Sequence, residues 1–320
     1  MIPLHLITGF LGSGKTSFLL DVAERLPGRN LVFLVNEYSR QAIDPQKLAF
    51  TGIRTVSITG GSIFCRCLLT DFLHHLRELP SRFSFPAGKL EAVIVEASGI
   101  ADPRSAEMML KESQLDQVYR LSSLVCLVDP GSFLKLITIL PNIRAQILAA
   151  DVALINKTDL YHPSEIDRTE DAVKQIKSNL RILRTQQGRS DWNPFQDEHM
   201  VGVKGDYTAC RDPHFATAVL SVPRMLTLEQ LQTAIRPWED RIFRIKGTAS
   251  LDGSVFSIEY SSDHWNVQKA MDGPTDNLLV FFYPPSLENE IRELAQHLQI
   301  FSRRDKIWSL DNSRCPGGAS

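Results

Sequence analysis

The chain has 320 residues, of which 43% are hydrophobic and 22% charged, and its formal net charge is −2. This length is enough for about two domains, and the near-neutral charge argues against nucleic acid as the main partner, because proteins that bind phosphate backbones usually carry a basic face or tail. The sequence shows no apolar stretch that could span a membrane, no signal-peptide pattern and only five scattered cysteines, so we expect a cytoplasmic protein without a disulfide framework.

The first pattern along the chain is a phosphate loop between a strand and a helix. Apolar residues over 2–8 predict the strand, a helical pattern covers Thr16–Leu26, and between them runs a G-x-x-x-x-G-K-[ST] motif, Gly9-Phe10-Leu11-Gly12-Ser13-Gly14-Lys15-Thr16. Glycines in such a loop turn backbone N–H groups toward a polyphosphate, and the helix directs its positive end at the same anion. Lys15 supplies charge to the outer phosphates and Thr16 a hydroxyl to Mg²⁺. The motif predicts a nucleoside triphosphate site formed by Gly9, Gly12, Ser13, Gly14, Lys15, Thr16 and Ser17.

Short apolar runs separated by helical patterns continue through the first half of the chain. The predicted strands are Leu4–Thr8, Leu31–Asn36, Thr55–Ile58, Ala92–Glu96, Leu124–Asp129 and Val152–Asn156, with Leu180–Leu183 as a further one. The predicted helices are Thr16–Leu26, Leu68–Leu79, Ala106–Glu112 and Ile143–Ala150. Apolar strands that alternate with helices are typical of a parallel sheet covered by helices on both faces. We therefore predict an α/β fold of the P-loop NTPase type, with ligands at the carboxyl ends of the strands.

Acidic residues after two of these strands are expected to organise Mg²⁺ and water. Glu96 begins the run Glu96-Ala97-Ser98-Gly99 at a strand end; its carboxylate can hold Mg²⁺, and Gly99 can offer an N–H to the terminal phosphate. Asn36, Glu37 and Asp44 follow the second strand, where a switch region is expected, and Asp44 is a candidate ligand for a metal-bound water. The alternatives are an ordinary turn and a solvated loop.

A candidate guanine-recognition motif, Asn156-Lys157-Thr158-Asp159, lies at the end of another apolar strand. The Asp159 carboxylate can accept hydrogen bonds from guanine N1–H and the N2 amine, a pair of donors that adenine does not present. The Lys157 stem can cover one face of the base, while Asn156 holds the loop. The alternative is a surface turn with a helix cap. Downstream of a phosphate loop, the motif favours GTP and GDP as ligands.

The regular pattern ends near residue 185, and a smaller second domain is predicted beyond it. Polar and turn-forming residues dominate 186–213, which we interpret as a linker. Further strands are predicted at Ala216–Val222, Arg241–Lys246, Val255–Tyr260 and Leu278–Tyr283, and helices at Thr227–Ile235 and Leu287–Leu298. Strands in succession indicate an α+β domain. The expected organisation is a P-loop GTPase domain over 1–185, the linker over 186–213 and the C-terminal domain over 214–320.

The order of these motifs resembles that of the CobW-type GTPases, which are grouped with the nickel-insertion GTPases of urease and hydrogenase. The resemblance rests on the phosphate loop, Asn36-Glu37, a Gly-rich loop with cysteines, the run Glu96-Ala97-Ser98-Gly99-Ile100-Ala101-Asp102-Pro103, and Asn156–Asp159. The second domain is similar to the CobW C-terminal domain, with Arg244-Ile245-Lys246-Gly247 in place of its R-x-K-G run. The resemblance implies a GTPase that assists delivery of a metal ion, often zinc or cobalt, to a client metalloprotein.

The cysteine-bearing loop departs from the family pattern. Family members commonly carry C-x-C-C after a glycine, whereas this chain has Ser62 and Phe64 at the first two cysteine positions, Cys65 at the last and an additional Cys67. In an extended segment residues i and i+2 point the same way, so Cys65 and Cys67 can share one ion, with Glu37 as a further ligand of Zn²⁺ or Co²⁺. The alternative is a pair of partly buried cysteines in a tight loop.

The expected function is GTP hydrolysis coupled to binding and delivery of a transition metal. Lys15, Glu96 and Asp44 are the expected catalytic residues. No arginine finger is evident, so slow intrinsic turnover is expected, with acceleration by metal, by a homodimer or by the client. Nucleotide state and metal affinity would be reciprocally linked. Two alternatives remain: a GTP-dependent regulatory switch or scaffold without useful turnover, and a P-loop kinase of a small molecule, which the guanine motif disfavours.

Overall fold

The computed structural model describes residues 1–37, 54–59, 62–64, 68–83, 88–196, 216–223, 226–261, 264–269, 277–299 and 308–310. The chain divides into two compact units, Met1–Cys210 and Arg211–Ser320. The first unit contains a parallel sheet with helices, and the second contains an antiparallel sheet with helices. The predicted fold class, an α/β domain followed by a smaller α+β domain, is confirmed.

Within the described residues, seven parallel strands form the sheet of the first unit. They are β1 (Ile2–Thr8), β2 (Leu31–Glu37), β3 (Arg54–Thr59), β4 (Ala92–Glu96), β5 (Tyr119–Val128), β6 (Val152–Ile155) and β7 (Arg181–Arg184). Their spatial order is β3-β2-β4-β1-β5-β6-β7, and every neighbouring pair is parallel. Because β1 lies between β4 and β5, the loops after these three strands meet at one edge of the sheet. The strands predicted for this unit are confirmed.

Helices cover both faces of this sheet. They are α1 (Lys15–Arg25), α2 (Leu69–Phe83), α3 (Ala106–Glu112), α4 (Pro130–Leu136), α5 (Pro141–Ala149) and α6 (Pro163–Ile176). Side chains alternate along β1: Leu4 and Leu6 lie in a core with α2 and α3, whereas Ile7 lies in a second core with Phe18 and Leu19 of α1. Burial on both faces explains why the strands are almost continuously apolar.

The helix α2 continues beyond its predicted end. The sequence pattern places that end at Leu79, before Pro80, but the helix runs on to Phe83. A proline cannot donate to the carbonyl four residues earlier, which here belongs to Leu76. The Tyr119 hydroxyl donates to the Leu76 oxygen at 2.6 Å instead, and burial raises the pKa of Tyr119, so the hydroxyl stays protonated. A side chain from β5 thus satisfies the carbonyl that Pro80 leaves without its helical donor.

Two helices of the first unit, α4 and α6, were not predicted from the sequence. α4 has Asp129 as its N-cap and Pro130 at its first position. α6 follows His162, whose ring accepts a hydrogen bond from the Ser164 N–H while Glu165 completes a capping box. Proline at the first helical position is a start signal. Histidine is not among the usual N-cap residues, so the start of α6 lacks the common pattern.

The start of the predicted linker belongs instead to the first unit. Trp192 is 1% exposed and lies in the core that contains Phe18. Its ring also meets that of His5 edge-on, with the ring centroids 5.2 Å apart. A polar composition favours a linker here, but one buried aromatic side chain anchors the segment, because it buries a large apolar area. Most of the predicted linker, residues 197–213, lies outside the described residues.

The second unit is an antiparallel sheet with helices. Its elements are β8 (Ala216–Ser221), α7 (Leu228–Ile235), β9 (Arg244–Leu251), β10 (Ser254–Ser261), β11 (His264–Lys269), β12 (Leu278–Tyr283), α8 (Glu288–Gln299) and β13 (Trp308–Leu310). The strand order is β11-β10-β9-β12-β8-β13. α7 begins with the predicted capping box of Thr227 and Gln230. Gly247, in the R-x-K-G run, is required because a Cβ there would overlap the carbonyl of Leu278.

Hydropathy separates the helices of both units from membrane-spanning segments. In the parts of the chain that the structure describes, no helix combines the length and the apolar character that a membrane span requires.

Candidate functional site

Three glycines shape the loop between β1 and α1. Gly9, Gly12 and Gly14 have φ values of 129°, 82° and 101°, a region that residues with side chains rarely adopt. A Cβ at Gly9 would overlap the carbonyl of Leu127, and one at Gly14 would overlap the side-chain amide of Asn156. The loop is therefore a close-packed cradle of backbone, as expected of a phosphate loop.

Lys15 and the N-terminus of α1 supply positive charge to this loop. The Lys15 side chain is 7% exposed, and its Nζ donates to the carbonyl oxygens of Gly9 at 2.8 Å and Phe10 at 3.2 Å. Gly14 precedes the helix without a capping side chain, and the first helical turn contains no acidic residue. The uncapped helix end and the ammonium group together form an anion-binding arrangement.

Oxygen atoms suited to Mg²⁺ lie beside the loop. The Thr16 hydroxyl is 3.4 Å from Oε1 of Glu96, and Glu96 is buried at the end of β4. The buried hydroxyls of Thr8, Ser13 and Ser98 make no hydrogen bond to any described residue. Buried polar groups normally have partners, and Mg²⁺ prefers oxygen ligands. The residues present thus fit a polyphosphate with its magnesium ion.

A turn after β4, residues 97–101, lies against the phosphate loop. A Cβ at Gly99 would lie 2.6 Å from the Leu11 nitrogen, so this close approach requires glycine. The buried Asn36 side chain holds the turn from β2, since its Oδ1 accepts hydrogen bonds from the N–H groups of Ser98 at 3.2 Å and Ile63 at 3.1 Å. Asn36 therefore joins the ends of β2 and β4 to segment 62–64.

Asn156 links the guanine motif to the phosphate loop. Its side chain is buried, and Nδ2 donates to the Ser13 carbonyl at 2.9 Å. Its Oδ1 accepts hydrogen bonds from the Thr185 hydroxyl at 3.1 Å and the Gly188 N–H at 2.9 Å. A Cβ at Gly188, where φ is 77°, would lie 2.5 Å from the Phe18 nitrogen. The loop 185–188 therefore packs on the start of α1 and belongs to this site.

The loop 185–188 was not among the predicted site residues. Thr185 and Gly188 form no recognisable motif, and the polar composition after residue 185 favours a linker. The structure pairs β7 with β6 in parallel, so the loop after β7 begins at the same edge of the sheet as the guanine motif. The predicted strand Leu180–Leu183 was the one sequence signal that pointed to this loop.

Lys157 and Asp159 lie in the turn after β6. Lys157 has a φ of 59°, and its Nζ donates to Oδ2 of Asp129 at 2.8 Å. The Asp129 carboxylate is almost fully buried and also accepts a hydrogen bond from the Gly131 N–H at 3.1 Å. Asp129 thus orients the Lys157 side chain. Asp159 is exposed, so its carboxylate can reach a bound base.

A comparison with protein-family models shows which family the chain belongs to. The family model of the CobW/HypB/UreG nucleotide-binding domain matches residues 3–184, which is more than half of the chain. The chain belongs to this family. The matched residues include the phosphate loop, the turn after β4 and the guanine motif, so the CobW/HypB/UreG assignment and the geometry concern the same site.

Similar proteins include two zinc chaperones of Escherichia coli strain K12. YeiR is 28% identical over 197 residues, which cover 60% of this chain but only 57% of YeiR. YjiA is 22% identical over 272 residues, which cover 79% of this chain and 83% of YjiA. The crystal structure of Zn(II)-bound YjiA GTPase from E. coli covers 93% of this chain and 98% of its own, with 19% identity and a TM-score of 0.46.

The residues predicted to bind a transition metal in this CobW-family chain fall mostly outside the described residues. Cys65 and Cys67 lie outside them, and for Glu37, at the end of β2, only the backbone is described. Asp44, the third expected catalytic residue, also lies outside the described residues. Elsewhere in the described ranges, no group of three or more His, Cys, Asp or Glu side chains is placed to hold a metal ion. Cys126 is buried in β5, where burial raises the pKa of its thiol to about 12, so it is a core residue rather than a metal ligand.

Proposed function

We propose that this CobW-family protein binds and hydrolyses GTP, and couples its nucleotide state to the binding and delivery of a transition metal, zinc or cobalt, to a client metalloprotein. The observation that carries the proposal is the hydrogen bond from Asn156 Nδ2 to the Ser13 carbonyl. It joins the guanine motif to the phosphate loop, so a single nucleotide can contact both. A small-molecule kinase would not need a guanine-recognition motif there.

Different residues of the chain would act on the phosphates, on the magnesium ion and on the attacking water. Lys15 and the N-terminus of α1 would stabilise negative charge on the β and γ phosphates, and burial of Lys15 strengthens this interaction. Thr16 and Glu96 would hold Mg²⁺, which neutralises phosphate charge when bound. Water would attack the γ-phosphorus and release inorganic phosphate and GDP. Asp44 remains the candidate for orienting that water.

The metal-delivery part of the proposal is supported by the relatives and by chain connectivity. YeiR and YjiA are both named zinc chaperones. Cys65, Cys67 and Glu37 are the candidate ligands, and the metal would be cargo. Glu37 directly follows Asn36, whose side chain holds the Ser98 N–H in the turn after β4. The two sites are therefore adjacent along the chain, which provides a route for linkage between nucleotide and metal.

The substitution Asp159→Asn tests the guanine assignment. We expect GTP affinity to fall at least about tenfold and affinity for xanthosine triphosphate to rise, because the amide can donate to the xanthine oxygen that replaces the N2 amine. Asp159 is exposed, so the fold should be unaffected. Calorimetric titration with both nucleotides measures the exchange of preference, and unchanged GTP affinity would refute the assignment.

Hydrolysis and metal coupling need separate measurements. Single-turnover assays with and without Zn²⁺ or Co²⁺ should release free phosphate; no release under any condition would favour a regulatory switch instead. Serine substitution of both Cys65 and Cys67 should lower metal stoichiometry in native mass spectrometry and leave nucleotide affinity of the apo protein unchanged. The same stoichiometry as in the wild type would exclude these cysteines as ligands.

A further inference from the structure

Two amide side chains on α5 hold the turn that follows β4. Gln146 Nε2 donates to the carbonyl oxygens of Gly99 at 3.2 Å and Ala101 at 2.9 Å, and Asn142 Nδ2 donates to that of Ile100 at 2.8 Å. Three consecutive carbonyl groups are thus bound from one helix. Gln146 is 1% exposed, so little water competes for its N–H groups, and removing them would leave buried acceptors unsatisfied.

These contacts fix the peptide groups of the turn. In a planar trans peptide the carbonyl and the N–H point in opposite directions. The bond from Gln146 to the Gly99 oxygen therefore directs the Ile100 N–H away from Gln146. The Ala101 N–H donates to the Ser98 oxygen at 2.9 Å, and this fixes the Gly99 N–H in the same way. Hydrogen bonds to the Ser98 and Gly99 carbonyl oxygens therefore hold the Gly99 and Ile100 N–H groups in fixed directions.

The opposite end of α5 is anchored as well. Lys177 Nζ donates to the carbonyl oxygens of Leu148 at 3.2 Å and Ala150 at 2.5 Å. Asp151, two residues after the end of α5, accepts a hydrogen bond from the Leu124 N–H of β5 at 2.8 Å. α5 is therefore tied to the sheet and to the segment after α6, and it can serve as a fixed support for the turn.

We propose that Gln146, assisted by Asn142, is a positioning residue for recognition of the terminal phosphate, and so for discrimination between GTP and GDP. This inference rests on the proposed function, because the turn after β4 can meet a γ-phosphate only when GTP occupies the site. GDP lacks that phosphate, so the orientation of the turn affects the triphosphate alone. Without the amide contacts, GTP would have to order the turn as it binds, which weakens its binding.

The variant Gln146→Met keeps the side-chain length and removes both donors. We expect affinity for a non-hydrolysable GTP analogue to fall about tenfold and GDP affinity to change less than about twofold. Calorimetric titration of the full chain gives both values. Asn142→Leu, at a partly exposed position, should give a smaller change of the same sign, and it provides the test if Gln146→Met does not fold.

Asn30→Leu is a matched control for these variants. Asn30 also donates through its amide to two carbonyl oxygens, those of Phe83 at 3.2 Å and Gly88 at 3.1 Å, but it precedes β2 at the opposite edge of the sheet. The Asn30→Leu variant should be less stable than the wild type but should keep the same ratio of GTP-analogue affinity to GDP affinity. An unchanged ratio, or an equal loss of both affinities, in the α5 variants would overturn the inference. Wild-type protein that binds no GTP would overturn the proposed function instead.

Discussion

The buried histidine of β1 should make the stability of the first unit depend on pH. His5 is fully buried, its Nδ1 lies 2.8 Å from the Ser123 hydroxyl, and the Trp192 ring packs edge-on against it. Burial lowers the pKa of His5 from 6.5 to about 4; the Pro194 carbonyl opposes this shift and the charge of Arg120 adds to it. The imidazole is therefore neutral in the folded protein at physiological pH.

The sign and size of the effect follow from these two pKa values. Above pH 6.5 the ring is neutral in the folded and unfolded states, and the full stability is present. Between pH 6.5 and about 4 the unfolded chain binds a proton that the folded chain does not, so the free energy of unfolding falls as the pH falls. At about 1.4 kcal/mol per pH unit, the loss is about 2 kcal/mol at pH 5 and about 3 kcal/mol in total.

The assay must report on the first unit alone. Of the four tryptophans in the chain, only Trp192 lies within Met1–Cys210, so its ¹⁹F resonance in 5-fluorotryptophan-labelled protein gives the folded and unfolded populations in urea. His5→Gln removes the titrating group and keeps an amide that can bond to Ser123. We expect the stability difference between wild type and variant to shift by about 2 kcal/mol between pH 7.5 and pH 5. The same pH dependence in both proteins would contradict a neutral, buried His5.

Other predictions concern the groups that join the base and phosphate parts of the site. Asn156→Asp places an acceptor opposite the Ser13 carbonyl 2.9 Å away; we expect GTP affinity in calorimetry to fall at least about tenfold. Gly188→Ala puts a Cβ against the backbone of Phe18 and should lower the free energy of unfolding by about 2–4 kcal/mol in urea titrations, whereas an effect below about 0.5 kcal/mol would mean that this loop does not pack as described. Asp129→Asn removes the carboxylate that orients the lysine of the guanine motif, so GTP and GDP affinities should fall by similar factors, about three- to tenfold. A change in only one of the two affinities would show that this ion pair acts on the phosphates rather than on the base.

Much of the fold was predictable because its determinants are local. Residues 92–95 of β4, for example, are apolar and buried at every position, and the phosphate loop and the guanine motif are each an unbroken run of residues. The ends of helices were harder to predict from the sequence. The continuation of α2 past Pro80 depends on the Tyr119 hydroxyl, and that contact becomes visible only once β5 is placed.

The parts of the site that escaped prediction depend on contacts between distant residues. Gln146 and Asn142 carry no motif, and their role follows from the carbonyl oxygens of Gly99, Ile100 and Ala101, which another loop brings to them. Single amides that bind backbone carbonyls leave no spacing pattern, because their partners are peptide groups present at every position. Such residues are identified only from coordinates.

The central position of β1 sets the order in which this site can be completed during synthesis. β1 is translated well before its sheet neighbours β4 and β5, which span Ala92–Glu96 and Tyr119–Val128. The residues that hold the far side of the phosphate loop, Asn156 and Gly188, are translated later still. Nucleotide can therefore bind only a nearly complete first unit, and it cannot guide the early, long-range strand pairing that makes folds of this topology slow to form.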